Sequence, residues 1–203
     1  ILVQFDSGEI ALTLAKATPG WKAYLRMYAA EAEALPTTLT IKANPVAQYW
    51  DMETGTSYNS PITQNGASWY GPTTGSFWTY DSTNTTGSNI SGSIGGGSWY
   101  INPVVSQSIT QYTPKDIWMD VTSQVNFWTA SVNYGLILRV TSSLENSINT
   151  QYHASYFSRD TNTIYPPSLV FFWNDSIYNP ITSSNQTVLT NQEFDVSVGN
   201  NDG

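Results

Sequence analysis

The chain contains no cysteine and only one histidine among its 203 residues. The absence of cysteine excludes disulfide bonds, thiolate zinc sites and a cysteine nucleophile. A zinc site or a catalytic triad at His153 would need partners, and no second histidine or cysteine exists. We therefore interpret His153 as an ordinary strand residue rather than a metal ligand or a general base.

Charge is also scarce, and positive charge is the scarcest. Charged residues make up 11% of the chain, and seven Lys and Arg against fifteen Asp and Glu leave a net charge of −8. So few cations cannot form the basic patch that displaces phosphate counterions, and the sequence predicts no nucleic-acid partner. Binding to an anionic membrane surface is disfavoured for the same reason. No apolar run approaches the roughly 18 residues of a membrane span.

Aromatic residues, in contrast, are abundant at 14%, with eight Trp and thirteen Tyr. Polarity comes mainly from Ser, Thr, Asn and Gln. This composition favours short pleated strands and polar turns, because aromatic and β-branched side chains pack well on a half-buried sheet. The predicted fold class is all-β: an antiparallel, jelly-roll-like β-sandwich with long Gly- and aromatic-rich loops and one or two short helical turns.

Period-two alternation and turn residues place the elements along the chain. The predicted strands are residues 1–5, 21–29, 39–43, 116–121, 136–140, 153–158 and 168–173. Helical turns are expected within residues 8–18 and after Thr122, which would cap a turn that places Val125 and Trp128 on one face. The Ala- and Glu-rich run 30–35 also has a helical composition.

The sequence indicates one large domain followed by a short C-terminal segment. Residues 1–178 are expected to form one domain, and residues 179–203 to be a linker followed by the first strand of another β-domain. The chain begins directly in a strand-like run, residues 1–5, and ends in residues 199–203 at a turn-like run that should lead into another strand. We therefore expect the chain to be a segment of a longer protein.

Residues 49–100 alternate glycines with isolated aromatics and contain no Lys or Arg. A connection this long in a compact domain is usually functional or held by its own side chains. Trp69, Tyr70, Trp78 and Trp99 are the candidate contact aromatics. Aromatic enrichment with Lys depletion is typical of a protein interface, whereas exposed rings can also stack on sugars. The alternative is that these rings fold back onto their own sandwich.

Two acidic residues in the same region, Asp51 and Glu53, would share one face of a strand. Paired carboxylates carry out acid–base chemistry in glycoside hydrolysis, but sequence does not set their separation across a cleft. We interpret the pair as a solvated or calcium-binding loop. We expect no catalytic residue and no cofactor other than such a structural calcium, so the chain is predicted not to be an enzyme.

A second charged group lies late in the chain. Arg159 is predicted to form a structural ion pair with Glu145 or Asp160, because a guanidinium binds carboxylates in a fixed geometry and so holds two strands in register. The alternative reading of this group, which also includes Arg139, is a ligand site.

Several short sequence motifs are distributed along residues 1–175. The run Asp120-Val121-Thr122 precedes Val125 and Trp128, and Gly135 then leads into a buried strand. The remaining motifs are Trp50–Gly55, Gly66–Trp69, Glu145, Phe157-Ser158-Arg159-Asp160, Pro167, Leu169 and the closing strand to Trp173. This succession, over residues 1–175, resembles the DNRLRE domain family. Ser68 stands where the family usually has Thr, and Asp160 where it often has Glu.

The resemblance implies a jelly-roll sandwich, as in carbohydrate-binding modules and cell-surface proteins. The copies most similar to this chain are found in large structural proteins of myophages, notably those of cyanobacteria. The implied function is a structural domain of the virion, in the neck, tail, baseplate or fibre, that packs against other subunits in a homo- or hetero-oligomeric assembly. The alternative is a carbohydrate-binding or adhesive module of a secreted bacterial surface protein, which would be extracellular and bind polysaccharide.

Overall fold

A computed structural model describes residues 1–33, 35, 37–52, 65–79, 86–87, 96–140, 153–159, 163–175 and 191–197. Strands dominate this part of the chain, and every strand pair is antiparallel. The helices of the described part are short: α1 spans Ser7–Leu14 and α2 spans Thr122–Ala130. The predicted all-β antiparallel class is confirmed.

Two four-stranded sheets form the body of the protein. In spatial order, the first sheet contains β1 (Leu2–Val3), β9 (Leu136–Arg139), β4 (Thr38–Pro45) and β7 (Val105–Thr110). The second contains β12 (Asn191–Ser197), β11 (Ser168–Asn174), β2 (Lys22–Met27) and β8 (Ile117–Asp120). Two smaller ladders pair β3 (Ala29–Glu33) with β10 (His153–Tyr156) and β5 (Thr86–Gly87) with β6 (Trp99–Tyr100). This strand order does not by itself establish the jelly-roll connection, which stays a prediction.

The core lies between the inner faces of the two sheets. Alternate residues of β2 and β4 point inward, as the period of a pleated strand requires. The second sheet contributes Ala23, Leu25 and Met27 from β2, and the first contributes Leu39 and Ile41 from β4, all 6% exposed or less. Burial of such side chains at about 25 cal/mol per Å² is the main stabilising term of a sandwich.

The prediction of a helical run at residues 30–35 is wrong. Residues 29–33 form β3, which pairs with β10 through positions such as Ala154 opposite Ala32. Ala and Glu are good helix formers, but helix propensity amounts to less than about 1 kcal/mol per residue, and the backbone hydrogen bonds supplied by a neighbouring strand override it.

The helix predicted after Thr122 is present, but Thr122 does not cap it. The N-cap residue is Val121, without a side-chain hydrogen bond. The Thr122 hydroxyl instead donates to Asp120 at 2.5 Å and accepts from the backbone N–H of Ala23 at 3.0 Å. Val125 and Trp128 are buried on the inner face of α2, as expected.

The structure places residues 191–197 differently from the sequence interpretation. They were expected to begin a neighbouring domain, but they form β12 in the second sheet. The strand pairs with β11 over its whole length, from Ser168 opposite Ser197 to Asn174 opposite Asn191. Among the described residues, no helix is long and apolar enough to cross a membrane.

Candidate functional site

The aromatic segment folds against the outer face of the first sheet. Residues 48–52, 65–79 and 96–100, here called the loop lobe, are joined by backbone hydrogen bonds. The N–H of Asp51 donates to the carbonyl of Pro72 at 3.0 Å, and the N–H of Ala67 donates to the carbonyl of Asp51 at 2.8 Å. The N–H of Gly96 donates to the carbonyl of Trp69 at 2.7 Å. Segments distant in sequence therefore form one layer.

Trp78 and Trp99 anchor this layer. They are 3% and 4% exposed and form a second hydrophobic cluster with Val46 and Ile137. The indole N–H of Trp78 donates to the carbonyl of Ser68 at 2.9 Å, so burial leaves no unpaired donor there. The interpretation of Trp78 and Trp99 as contact aromatics does not fit this burial, because neither ring is free to meet a partner or a sugar.

Arg139 reaches the same cluster from β9. Its guanidinium carbon lies 4.4 Å from the centre of the Trp99 ring, within the range of a cation–π contact. Sequence reasoning placed Arg139 in a charged group with Arg159. The structure shows in addition that Arg139 packs on an aromatic face.

Gly97 makes the close approach of loop and sheet possible. Its φ is +102°, a conformation that L side chains rarely adopt. A Cβ atom there would lie 2.4 Å from Cδ1 of Ile137. The backbone conformation therefore favours glycine at this position, and an added Cβ would require the end of the Ile137 side chain to move.

Five other large apolar side chains of the loop lobe face solvent. Trp69 and Tyr70, the other two candidate aromatics, are 41% and 66% exposed, and Tyr49, Met52 and Phe77 are 56%, 51% and 61% exposed. Apart from Asp51, residues 48–52 and 65–79 contain no charged residue. The loop lobe therefore presents an aromatic, nearly uncharged surface to solvent, while its buried side packs on the first sheet through Trp78 and Trp99.

A groove of about 380 Å³ runs along the lobe. Its walls include Trp50, Trp69, Asp51, Ser68 and Arg139. The hydroxyl of Tyr49 donates to the carboxylate of Asp51. This hydrogen bond and the carboxylate charge raise the pKa of Tyr49. Glu53, the predicted partner of Asp51, lies outside the described residues, and among those that are described no cluster of three acidic or histidine side chains is arranged to hold a metal.

The predicted ion pair falls largely outside the described part of the chain. Arg159 is half-buried and borders a larger cavity of about 830 Å³ near α1 and β10. Glu145 and Asp160 both lie outside the described residues, so the pairing stays a prediction. In the same cavity wall, burial and the charge of Asp116 raise the pKa of Tyr156 to about 12.

His153 lies on β10, as expected of a strand residue. Its Nε2 is 3.8 Å from a carboxylate oxygen of Glu31 on β3, and both side chains are more than half exposed. An exposed contact of this kind contributes little to stability.

One aromatic group was missed by the sequence interpretation. Tyr24, Trp118 and Phe172 lie on the outer face of the second sheet, on β2, β8 and β11. The rings of Tyr24 and Trp118 stack at a centroid distance of 5.3 Å and an interplanar angle of 15°. Phe172 meets Tyr24 edge-on at 5.6 Å. The signal was present in β8, where exposed Trp118 stands between buried Ile117 and Met119.

Charged side chains border this group. Nζ of Lys22 lies 3.3 Å from Oδ2 of Asp120, with both side chains partly exposed. Burial by itself would raise the pKa of Asp120. Hydrogen bonds from the hydroxyl and the N–H of Thr122, together with the bond to Lys22 and its charge, outweigh burial and hold the pKa of Asp120 below its ordinary value.

Comparison with known proteins finds no matching family model, no curated protein of similar sequence and no similar solved structure. The resemblance to the DNRLRE family thus stays an expectation.

Proposed function

We propose that this chain is a non-catalytic structural domain of a phage virion and that the loop lobe is the surface with which it packs against another subunit. The observation that carries the proposal is the exposure of Trp69, Tyr70 and Phe77 on a base fixed by Trp78 and Trp99. Soluble monomers rarely leave large apolar patches in water, and such patches are typical of protein interfaces.

The electrostatics of the loop lobe favour a protein partner. An interface core is enriched in aromatic residues and Met and depleted in Lys and Glu. Tyr49, Met52, Trp69, Tyr70 and Phe77 match that composition, and the described part of the lobe offers Asp51 as its one ionisable acid. Burial of this surface against a partner would desolvate few charges. The desolvation cost would therefore cancel little of the favourable free energy of burying apolar surface.

The assignment to a virion rests on the resemblance of the motifs. The alternative is a carbohydrate-binding or adhesive module of a bacterial surface protein. The groove beside Trp69 favours this alternative, because Trp50 and Trp69 offer rings and Asp51, Ser68 and Arg139 offer polar groups to a sugar.

The test replaces the two exposed aromatics in the intact protein. Trp69→Ser combined with Tyr70→Ser is expected to reduce recovery of the protein in purified particles, while the free protein keeps its melting temperature. Tyr112→Ser combined with Ile164→Ser is the matched control, because those side chains are 86% and 84% exposed on other parts of the surface. The proposal fails if the intact protein is absent from particles or if both double variants assemble as the unaltered protein does.

A further inference from the structure

The aromatic group on the outer face of the second sheet is a separate surface from the loop lobe, which packs on the first sheet. Tyr24 lies on β2, with Trp118 on β8 on one side and Phe172 on β11 on the other. The third pair, Trp118 and Phe172, has ring centroids 6.3 Å apart, so all three rings are in mutual contact. Three adjacent strands thus present one continuous aromatic group on a sheet face.

This group is held rigidly. Tyr24 stacks on one side of the Trp118 ring, and backbone pairing of β2 with both neighbours sets the spacing of the side chains. Trp118 is nevertheless 44% exposed, the largest exposed ring on any described strand of the two main sheets. A rigid exposed ring binds a ligand at a low cost in conformational entropy, because few rotamers are lost.

Hydrogen-bonding groups surround the rings. Lys22 and Asp120 form their ion pair beside Tyr24, and Arg26 lies directly opposite Trp118 in the strand register. The Arg26 side chain, however, is directed to β11: its Nε donates to the hydroxyl of Ser168 at 3.0 Å, and its guanidinium carbon lies 5.7 Å from the centre of the Tyr28 ring. The rings are therefore bordered by a donor from Lys22 and an acceptor from Asp120.

We propose that this face binds a hexopyranose unit of a polysaccharide, with the sugar ring on Trp118 and its hydroxyls on Lys22 and Asp120. A pyranose has an apolar C–H face surrounded by hydroxyls, and this arrangement matches an aromatic ring bordered by charged groups. A protein partner would have to desolvate the Lys22–Asp120 pair, which costs free energy that hydroxyls instead repay with hydrogen bonds. Nucleic acid does not fit a chain with a net charge of −8.

The experiment is affinity gel electrophoresis of the full chain in gels that contain, one at a time, dextran, a β-glucan, a galactan, a mannan and a bacterial O-antigen polysaccharide. At least one polysaccharide is expected to retard the unaltered protein. Trp118→Ala should weaken that retardation by about tenfold or more, as expected from loss of one aromatic contact. Trp118→Tyr should retain most of it, because it keeps an aromatic face.

The Trp69→Ala variant separates this inference from a sugar site in the loop lobe. Retention of polysaccharide binding in this variant assigns the binding to the second sheet, whereas its loss assigns the binding to the loop lobe. Tyr112→Ala is the matched control and should bind as the unaltered protein does, because Tyr112 is 86% exposed outside the aromatic group. Melting curves of each variant establish that it is folded. The inference is overturned if no polysaccharide in the set retards the protein, if folded Trp118→Ala binds normally, or if binding is lost with Trp69→Ala instead. None of these outcomes depends on whether the loop lobe contacts a virion subunit.

Discussion

Gln107 on β7 accepts a hydrogen bond from the backbone N–H of Trp118 on β8 at 2.8 Å. The same side-chain amide donates from Nε2 to the carbonyl of Asp116 at 2.8 Å. β7 and β8 are the edge strands of the two different sheets. One glutamine therefore links the sheets and occupies edge hydrogen-bonding groups that would otherwise be available to another chain.

Removal of the Gln107 side-chain amide should weaken the contact between β7 and β8. Gln107→Ala is expected to lower the free energy of unfolding by about 1 kcal/mol, since two hydrogen bonds to backbone groups are lost and water replaces them in part. Ser106→Ala is the matched control, because Ser106 is exposed on the neighbouring position of β7. Urea unfolding of both variants measures the effect, and equal midpoints for Gln107→Ala and Ser106→Ala would contradict it.

The contact between Gly97 and Ile137 predicts a coupled pair of substitutions. Gly97→Ala should cost about 1–3 kcal/mol from backbone strain alone, and more because its Cβ meets Cδ1 of Ile137. Ile137→Val removes Cδ1, so the double variant should be more stable than the sum of the single effects by at least about 0.5 kcal/mol.

Gly75→Ala isolates the strain from the steric clash. Gly75 has a φ of +78°, yet a Cβ there would have no neighbour within 4 Å. Thermal or urea unfolding should show no coupling between Gly75→Ala and Ile137→Val. Additive effects for both glycines would mean that the loop lobe adjusts to the added methyl group.

Asp120 makes stability depend on pH in the acid range. Its pKa is lowered in the folded protein, so its contribution is fully present above the pKa of an unfolded aspartate, about 3.9. The contribution is lost as the pH falls through the lower folded-state pKa, because the protonated carboxyl no longer interacts with Lys22 and accepts more weakly from Thr122.

Asp120→Asn should therefore be less stable than the unaltered protein near neutral pH, and the difference should shrink as the pH falls below the unfolded-state pKa of about 3.9. Urea unfolding at a series of pH values measures the difference directly. A difference that stays constant over the series would show that Asp120 acts through packing rather than through its charge.

The sequence by itself determined the class of fold and much of the inner face. Alternation in β2 places Ala23, Leu25 and Met27 inward because successive side chains of a strand point to opposite faces. The apolar run of β11 and the helical spacing of Val125 and Trp128 are equally local signals. The short helix α1 also follows from nearby residues, with Asp6 accepting from the N–H of Glu9 at its start.

Tertiary structure alone decided the candidate sites. Trp69 and Trp78 both lie in sequence rich in Gly, Ser, Thr and aromatic residues, yet Trp69 is exposed and Trp78 is buried in a cluster with Ile137. Burial depends on which residues of the folded sheet lie opposite each ring. β3 is a strand for a similar reason: its partner β10 lies more than a hundred residues later in the chain. Tyr24, Trp118 and Phe172 form one aromatic group only because strand register sets them side by side, and register between distant strands is a property of the packed sheets, not of any local pattern.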